Sequence, residues 1–218
     1  MDIIKKLAQE LAIKEEQAKA AVQLIDEGNT IPFIARYRKE MTGALNDETL
    51  RNLHERLLYL RNLEEKKEQV INAITDQGKM TEDLKKKILS AETLVAVDDL
   101  YRPYRPKKQT RATKAKEKGL EPLANILLLQ KTTKSMEEEA AAFVNAEKGV
   151  ANAKEAIAGA KDIIAEMIAD MADYRKSIRN CTMKQGSLVV KAKDEKAESV
   201  YEMYYDFREP LSKVTGYR

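Results

Sequence analysis

Apolar residues recur along this chain at spacings of three and four, the repeat of an amphipathic helix. Residues 2–13 place Ile3, Ile4, Leu7 and Leu11 on one face, and residues 14–27 place Ala18, Ala21, Val22 and Ile25 inward. Gly28-Asn29 then offers a left-handed cap. The tight junction between the two predicts a helix-turn-helix-like topology. However, the second helix is rich in acid (Glu15, Glu16, Asp26, Glu27), which does not suit a helix entering a phosphate-lined groove. Pro32 starts a further turn, with Phe33, Ile34 and Tyr37 as expected anchors and Arg36, Arg38 and Lys39 partly exposed. From Glu48 to Gln77 there is neither Pro nor Gly, and Leu50, Leu53, Leu57, Leu60, Leu63, Val70, Ile71 and Ile74 form one stripe. The run Glu64-Glu65-Lys66-Lys67-Glu68 interrupts it, so this stretch is expected to meet water or a charged neighbour.

Shorter helices follow from Thr81, over Leu94–Leu100, over Thr113–Lys118 and over Leu123–Leu129, and one capped by Ser135 reaching to about Glu147. The strongest period runs through Ala153, Ile157, Ala160, Ile164, Met167, Met171, Tyr174 and Ile178. It predicts one long buried helix, with the methionines as core filler, packed against the 48–77 helix. Ser187–Lys193 is strand-like, Asp194–Tyr205 reads as helix and Glu209-Pro210-Leu211 as a turn. The fold class is therefore all-α: a multi-helix array with a helix-turn-helix-like beginning, two long packed helices and one extended strap. Three regions are expected, at 1–78, 79–150 and 151–218.

The strap changes the picture because it concentrates charge. Pro103 and Pro106 push their preceding residues away from helical conformation, so 101–107 should be extended. Between Tyr101 and Lys118 lie Arg102, Arg105, Lys107, Lys108, Arg111, Lys114, Lys116 and Lys118, with Glu117 the one acid. Those eight cations and one carboxylate give +7 in a chain of net charge +3, leaving −4 elsewhere. Two arrangements follow. In one, the cations meet phosphates while Tyr101 and Tyr104 stack on bases. In the other, the strap clamps the helices, its tyrosines buried and its arginines paired with Asp98, Asp99 and helix acids. Arg36, Arg38 and Lys39 form a smaller basic patch, to which the same two alternatives apply.

Composition excludes several classes. A single cysteine, Cys181, rules out an internal disulfide and a cysteine-only zinc site. His54 is the lone histidine, and no nucleophile–His–acid set, phosphate-cradling glycine loop or metal-ligand spacing occurs. The chain is thus expected to be no enzyme and to need no cofactor or metal. Without a signal peptide or long apolar run it reads as cytoplasmic.

Several stretches together resemble the N-terminal region of the Tex family of bacterial transcription accessory proteins. They are Ile31-Pro-Phe-Ile-Ala-Arg-Tyr-Arg-Lys-Glu40, Asp99-Leu-Tyr101, Lys107, Thr110-Arg-Ala112, Lys118-Gly-Leu-Glu-Pro-Leu-Ala124, Ala158-Gly-Ala-Lys-Asp-Ile-Ile-Ala-Glu166, Tyr205-Asp-Phe207 and Glu209-Pro-Leu-Ser212. Tyr217 departs from the pattern, where His is more usual. The resemblance implies a longer protein continuing into RNase H-like, helix-hairpin-helix and C-terminal RNA-binding domains, with this chain its N-terminal fragment. It also implies action in transcription as a scaffold associated with single-stranded RNA or DNA, binding weakly without the C-terminal domain. The alternative is a protein-interaction module that docks on RNA polymerase or a ribosome-associated protein through the acidic first helices.

Overall fold

A computed structural model describes residues 2–194 and 196–215; Tyr217 lies outside them. The chain divides into two compact units, Met1–Tyr101 and Arg102–Arg218. Among the described residues no helix is long and apolar enough to cross a membrane.

The first unit is built on α4 (Asp47–Asp76), capped by the Asn46 side chain accepting from Thr49 N–H. Around it pack α1 (Ile3–Glu10), α2 (Glu15–Asp26), α3 (Ile31–Tyr37), α5 (Glu82–Ser90) and α6 (Leu94–Tyr101). Leu50, Leu53, Leu57 and Leu60 bury fully against Leu7, Ala18, Ala21, Leu24 and Ile34. Two bidentate pairs fasten the outer helices to α4. Arg56 donates to Glu10 at 2.5 and 2.9 Å, and Arg61 donates to Asp26 at 2.7 and 2.8 Å. These arginine hydrogen bonds hold the Glu10 and Asp26 carboxyls below the usual carboxylate range, against the opposing effect of burial.

The charged interruption in the α4 stripe is not solvated throughout. Lys67 takes the stripe position between Leu63 and Val70 and is only 2% exposed. Its ammonium donates to Glu64 Oε1 at 2.8 Å and to the Leu89 carbonyl at 3.0 Å, at the C-terminal end of α5. Unpaired carbonyls and a negative dipole end make that a favourable place for a cation.

The second unit centres on α10 (Ala153–Asp170), against which α7 (Arg111–Glu117), α8 (Glu121–Leu129) and α9 (Met136–Ala141) pack. Its core joins Ala112, Ala115, Leu120, Leu123, Ala140 and Val150 to Ala156, Ala160 and Ile163. Gly159 permits the closest approach, since a Cβ there would lie 2.4 Å from Leu120 Cδ1 and 3.3 Å from Ala115 Cβ. The two long helices therefore belong to different units. Each packs short helices of its own unit along its apolar stripe.

Five further expectations need correction. The long periodic helix is broken at Met171, whose ψ of 115° is extended, and α11 (Ala172–Gln185) begins anew. Arg175 donates to the Ala169 carbonyl at the end of α10, which favours the break. Nor is the second half buried: Met167, Met171, Tyr174 and Ile178 are all exposed, so these methionines are not core filler. The Ser135-capped helix stops at Ala141, and a turn closed by the Asn145–Val150 bridge follows. The described part of 194–205 is turn with a 3-10 segment, Glu202–Tyr204, rather than α-helix. Finally, residues 206–210, in part read as a turn, form strand β2 (Asp206–Pro210), antiparallel to β1 (Ser187–Lys191) with Ser187 opposite Pro210.

Candidate nucleic-acid interface

The strap is neither continuous helix nor wholly extended. α6 runs through Tyr101, Arg102–Tyr104 make one 3-10 turn, residues 105–110 are irregular and α7 starts at Arg111. The 3-10 turn corrects the expectation of extended backbone there. Proline tolerates the early positions of a helical turn because its missing N–H is not needed, so Pro103 fits the turn's second residue. Thr110 caps α7, its side chain accepting from Thr113 N–H at 3.0 Å.

The strap's cations divide by what they meet. Arg102 Nε donates to Asp170 Oδ1 at 2.9 Å, and Lys107 Nζ donates to Asp170 Oδ2 and lies 3.3 Å from Glu166 Oε1. Thr110 Oγ1 donates to the same Glu166 oxygen at 3.1 Å, and Arg111 Nε lies 3.6 Å from Asp162 Oδ1. Asp162, Glu166 and Asp170 are spaced at four residues and so form one stripe along α10. Positions 102, 107 and 111 meet that stripe in reverse order, so the strap runs antiparallel to α10 and is clasped to it. Lys116 lies 3.2 Å from Glu121 Oε1. Arg105 is exposed, and Tyr101 and Tyr104 are half-buried.

Lys108 and Lys114 behave differently: both are exposed, and among the described residues no carboxylate pairs with either. Lys118 donates to the Gly149 carbonyl at 2.7 Å. Opposite it, Lys148 Nζ lies 3.7 Å from where a Cβ on Gly119 would stand. Two Lys-Gly turns thus face each other, each glycine at positive φ. Sequence reasoning took Lys148-Gly149 only as a break. It also missed the acidic stripe, although its four-residue spacing was legible.

Arg36, Arg38 and Lys39 belong to the first unit and are exposed. Among the described residues none of the three pairs with a carboxylate. Arg38 instead lies over the Phe33 ring, 5.1 Å from its centroid, and donates to the Tyr37 carbonyl at 3.2 Å. Ile34 anchors α3 fully, whereas Tyr37, expected as an anchor, is 64% exposed. A helix of seven residues has room for only one strongly buried face.

Two helical units carrying basic loops, one clasped to its own acidic helix and one not, define a helical scaffold with exposed cationic segments. Comparison with known proteins identifies the family. Residues 1–75 match the Tex-like protein N-terminal domain and residues 131–218 match the Tex central region. The chain belongs to the Tex family. It is 46% identical to Protein YhgF of Escherichia coli over 97% of its length, covering 28% of that protein. It is 41% identical to the Transcriptional accessory protein Tex of Neisseria gonorrhoeae over its whole length, covering 29% of that protein. Against S1 RNA-binding domain-containing protein 1 of Homo sapiens it is 32% identical over 84% of its length, covering 18% of that protein. The chain therefore spans less than a third of these relatives.

Proposed function

We propose that this chain is a non-catalytic, cytoplasmic scaffold module of a transcription accessory protein, and that it associates with single-stranded RNA or DNA. The observation that carries the reading is the sorting of the strap's charges. Arg102, Lys107 and Arg111 hold the strap on α10, while Lys108 and Lys114 project from it without a carboxylate. Ammonium groups left in water at defined positions are what phosphate contacts require. The names of the relatives, one a transcriptional accessory protein and one an S1 RNA-binding domain protein, support the same direction.

A salt titration tests it. Binding to short oligouridylate and oligodeoxythymidylate should weaken with salt. The double variant Lys108→Glu, Lys114→Glu should flatten the log–log slope by about 1.4, or about 0.7 for each phosphate no longer neutralised. Its melting temperature should be unchanged, because neither lysine supports the fold. An unchanged slope with unchanged affinity refutes the assignment.

A second reading, a protein-interaction module that docks on RNA polymerase or a ribosome-associated protein, is favoured by the exposed stripe of α11. Tyr174, Ile178 and Met183 stand open there, and no residue of this helix is buried. Binding to purified polymerase that survives nuclease treatment would support it.

A further inference from the structure

The segment after α3 is built more firmly than its exposure suggests. Thr42 is completely buried, and its hydroxyl donates towards the Arg38 and Lys39 carbonyls, each at 3.3 Å. Gln17 Nε2, from α2, donates to the Thr42 carbonyl at 3.3 Å and the Gly43 carbonyl at 2.9 Å. The backbone N–H of Thr42 returns to the Arg38 carbonyl at 3.2 Å, and that of Ala44 to the Lys39 carbonyl at 2.7 Å. Gly43 and Ala44 both take φ of 61° to complete the turn. The positive φ of Gly43 favours glycine, and a Cβ there would stand 2.7 Å from Gln17 Nε2, so the amide that braces the turn would have to shift.

The polar backbone is thus satisfied inside the turn, and the side chains of Arg36, Arg38 and Lys39 remain outside. The Tyr37 ring leans on Phe33, with centroids 5.3 Å apart and planes tilted by 45°, yet most of its surface meets water. Beside it opens a cleft of about 680 Å³, lined by the three cations, Glu27, Glu40 and the exposed Met41. Glu27 accepts from Gln23 Nε2 at 3.1 Å, and among the described residues neither acid forms an ion pair with the cations.

We propose that Tyr37 is a base-stacking platform for single-stranded nucleic acid, with Arg36, Arg38 and Lys39 taking the phosphates on either side of the stacked base. An aromatic face bordered by cations on a rigid turn is the arrangement that binds unpaired bases with little sequence preference. Paired bases have their faces covered by neighbours in the stack, so a duplex does not fit it. The inference rests on the nucleic-acid reading above but places a second contact in the other unit, on a residue that the charge pattern alone does not select.

The test uses the full chain and fluorescently labelled oligouridylate, with an abasic strand of equal length as a second probe. Tyr37→Ala should weaken binding of the oligouridylate about tenfold while leaving the salt slope unchanged, and Tyr37→Phe should bind as the parent does. The abasic strand should bind parent and Tyr37→Ala equally. Replacing Arg36 and Lys39 by Gln should instead flatten the slope, by about 0.7 per residue. Ultraviolet irradiation of the complex should cross-link the strand at Tyr37. If Tyr37→Ala binds oligouridylate like the parent while Lys108→Glu, Lys114→Glu loses affinity, the platform is refuted and the strap reading stands. If the parent chain shows no salt-sensitive binding to either probe, both fail.

Discussion

Replacing Asp170 with alanine is expected to lower the unfolding free energy by about 2–3 kcal/mol, the effect of removing one partner from a largely buried ion cluster. Asp170 is the last residue of α10, where the negative end of the helix dipole disfavours a carboxylate. It is nevertheless 8% exposed and receives both Arg102 and Lys107. Its presence there follows from those two cations, and theirs from it. Without it, Lys107 keeps only the more distant Glu166, and Arg102 loses its anchor. The figure stays below the range for a fully interior pair because the Arg102 side chain is half in water and screened. Chemical denaturation of the parent and of Asp170→Ala measures it. Lys107→Glu should be destabilised in the same direction, since it sets a third carboxylate against Glu166 and Asp170. That distinguishes Lys107 from Lys108, its neighbour in sequence, whose reversal should leave stability alone.

Lys67→Ala should cost about 3 kcal/mol, combining an unfilled space in the α4 stripe with an unsatisfied Leu89 carbonyl. Lys67→Met separates the two contributions. Methionine roughly preserves the volume and lacks the donor, so it should recover about half of the loss. If the two variants are equally destabilised, the hydrogen bond to α5 governs and packing is secondary. If methionine restores full stability, the buried charge contributes nothing to this unit. Denaturant midpoints for the three proteins decide among these outcomes.

The helical class, the helix start at Thr81, the cap at Ser135 and the extent of α4 to within a residue were legible because each rests on local rules: period, cap chemistry and an absence of breakers. Family membership was legible from the segments around Arg36, Arg111 and Asp162. What local pattern could not supply was which apolar stripe is covered. Met171 is apolar and sits in phase, so nothing in the period marks a break there; the break is set by Asp170 held from the strap and by Arg175 reaching back to α10. Lys67 was hidden in the same way, because a lysine in a charged run looks solvated until a neighbouring helix end is brought to it. The strap's charge was visible as a total, whereas its division between clasp and open ammonium groups depended on the acids of α10, some sixty residues away in sequence for the Lys107 pair. β2 escaped because Pro210 reads as a turn; it ends the strand opposite Ser187.

The open side of α11 has a consequence for motion. A helix in which no residue is buried owes its backbone hydrogen bonds little support from tertiary packing. Its amide protons should therefore exchange with deuterated solvent through local opening, orders of magnitude faster than those of α10 beside Ala156, Ala160 and Ile163, which wait for the whole unit to unfold. Deuterium uptake would thus follow a steep gradient across Met171, within what the sequence presents as a single unbroken repeat.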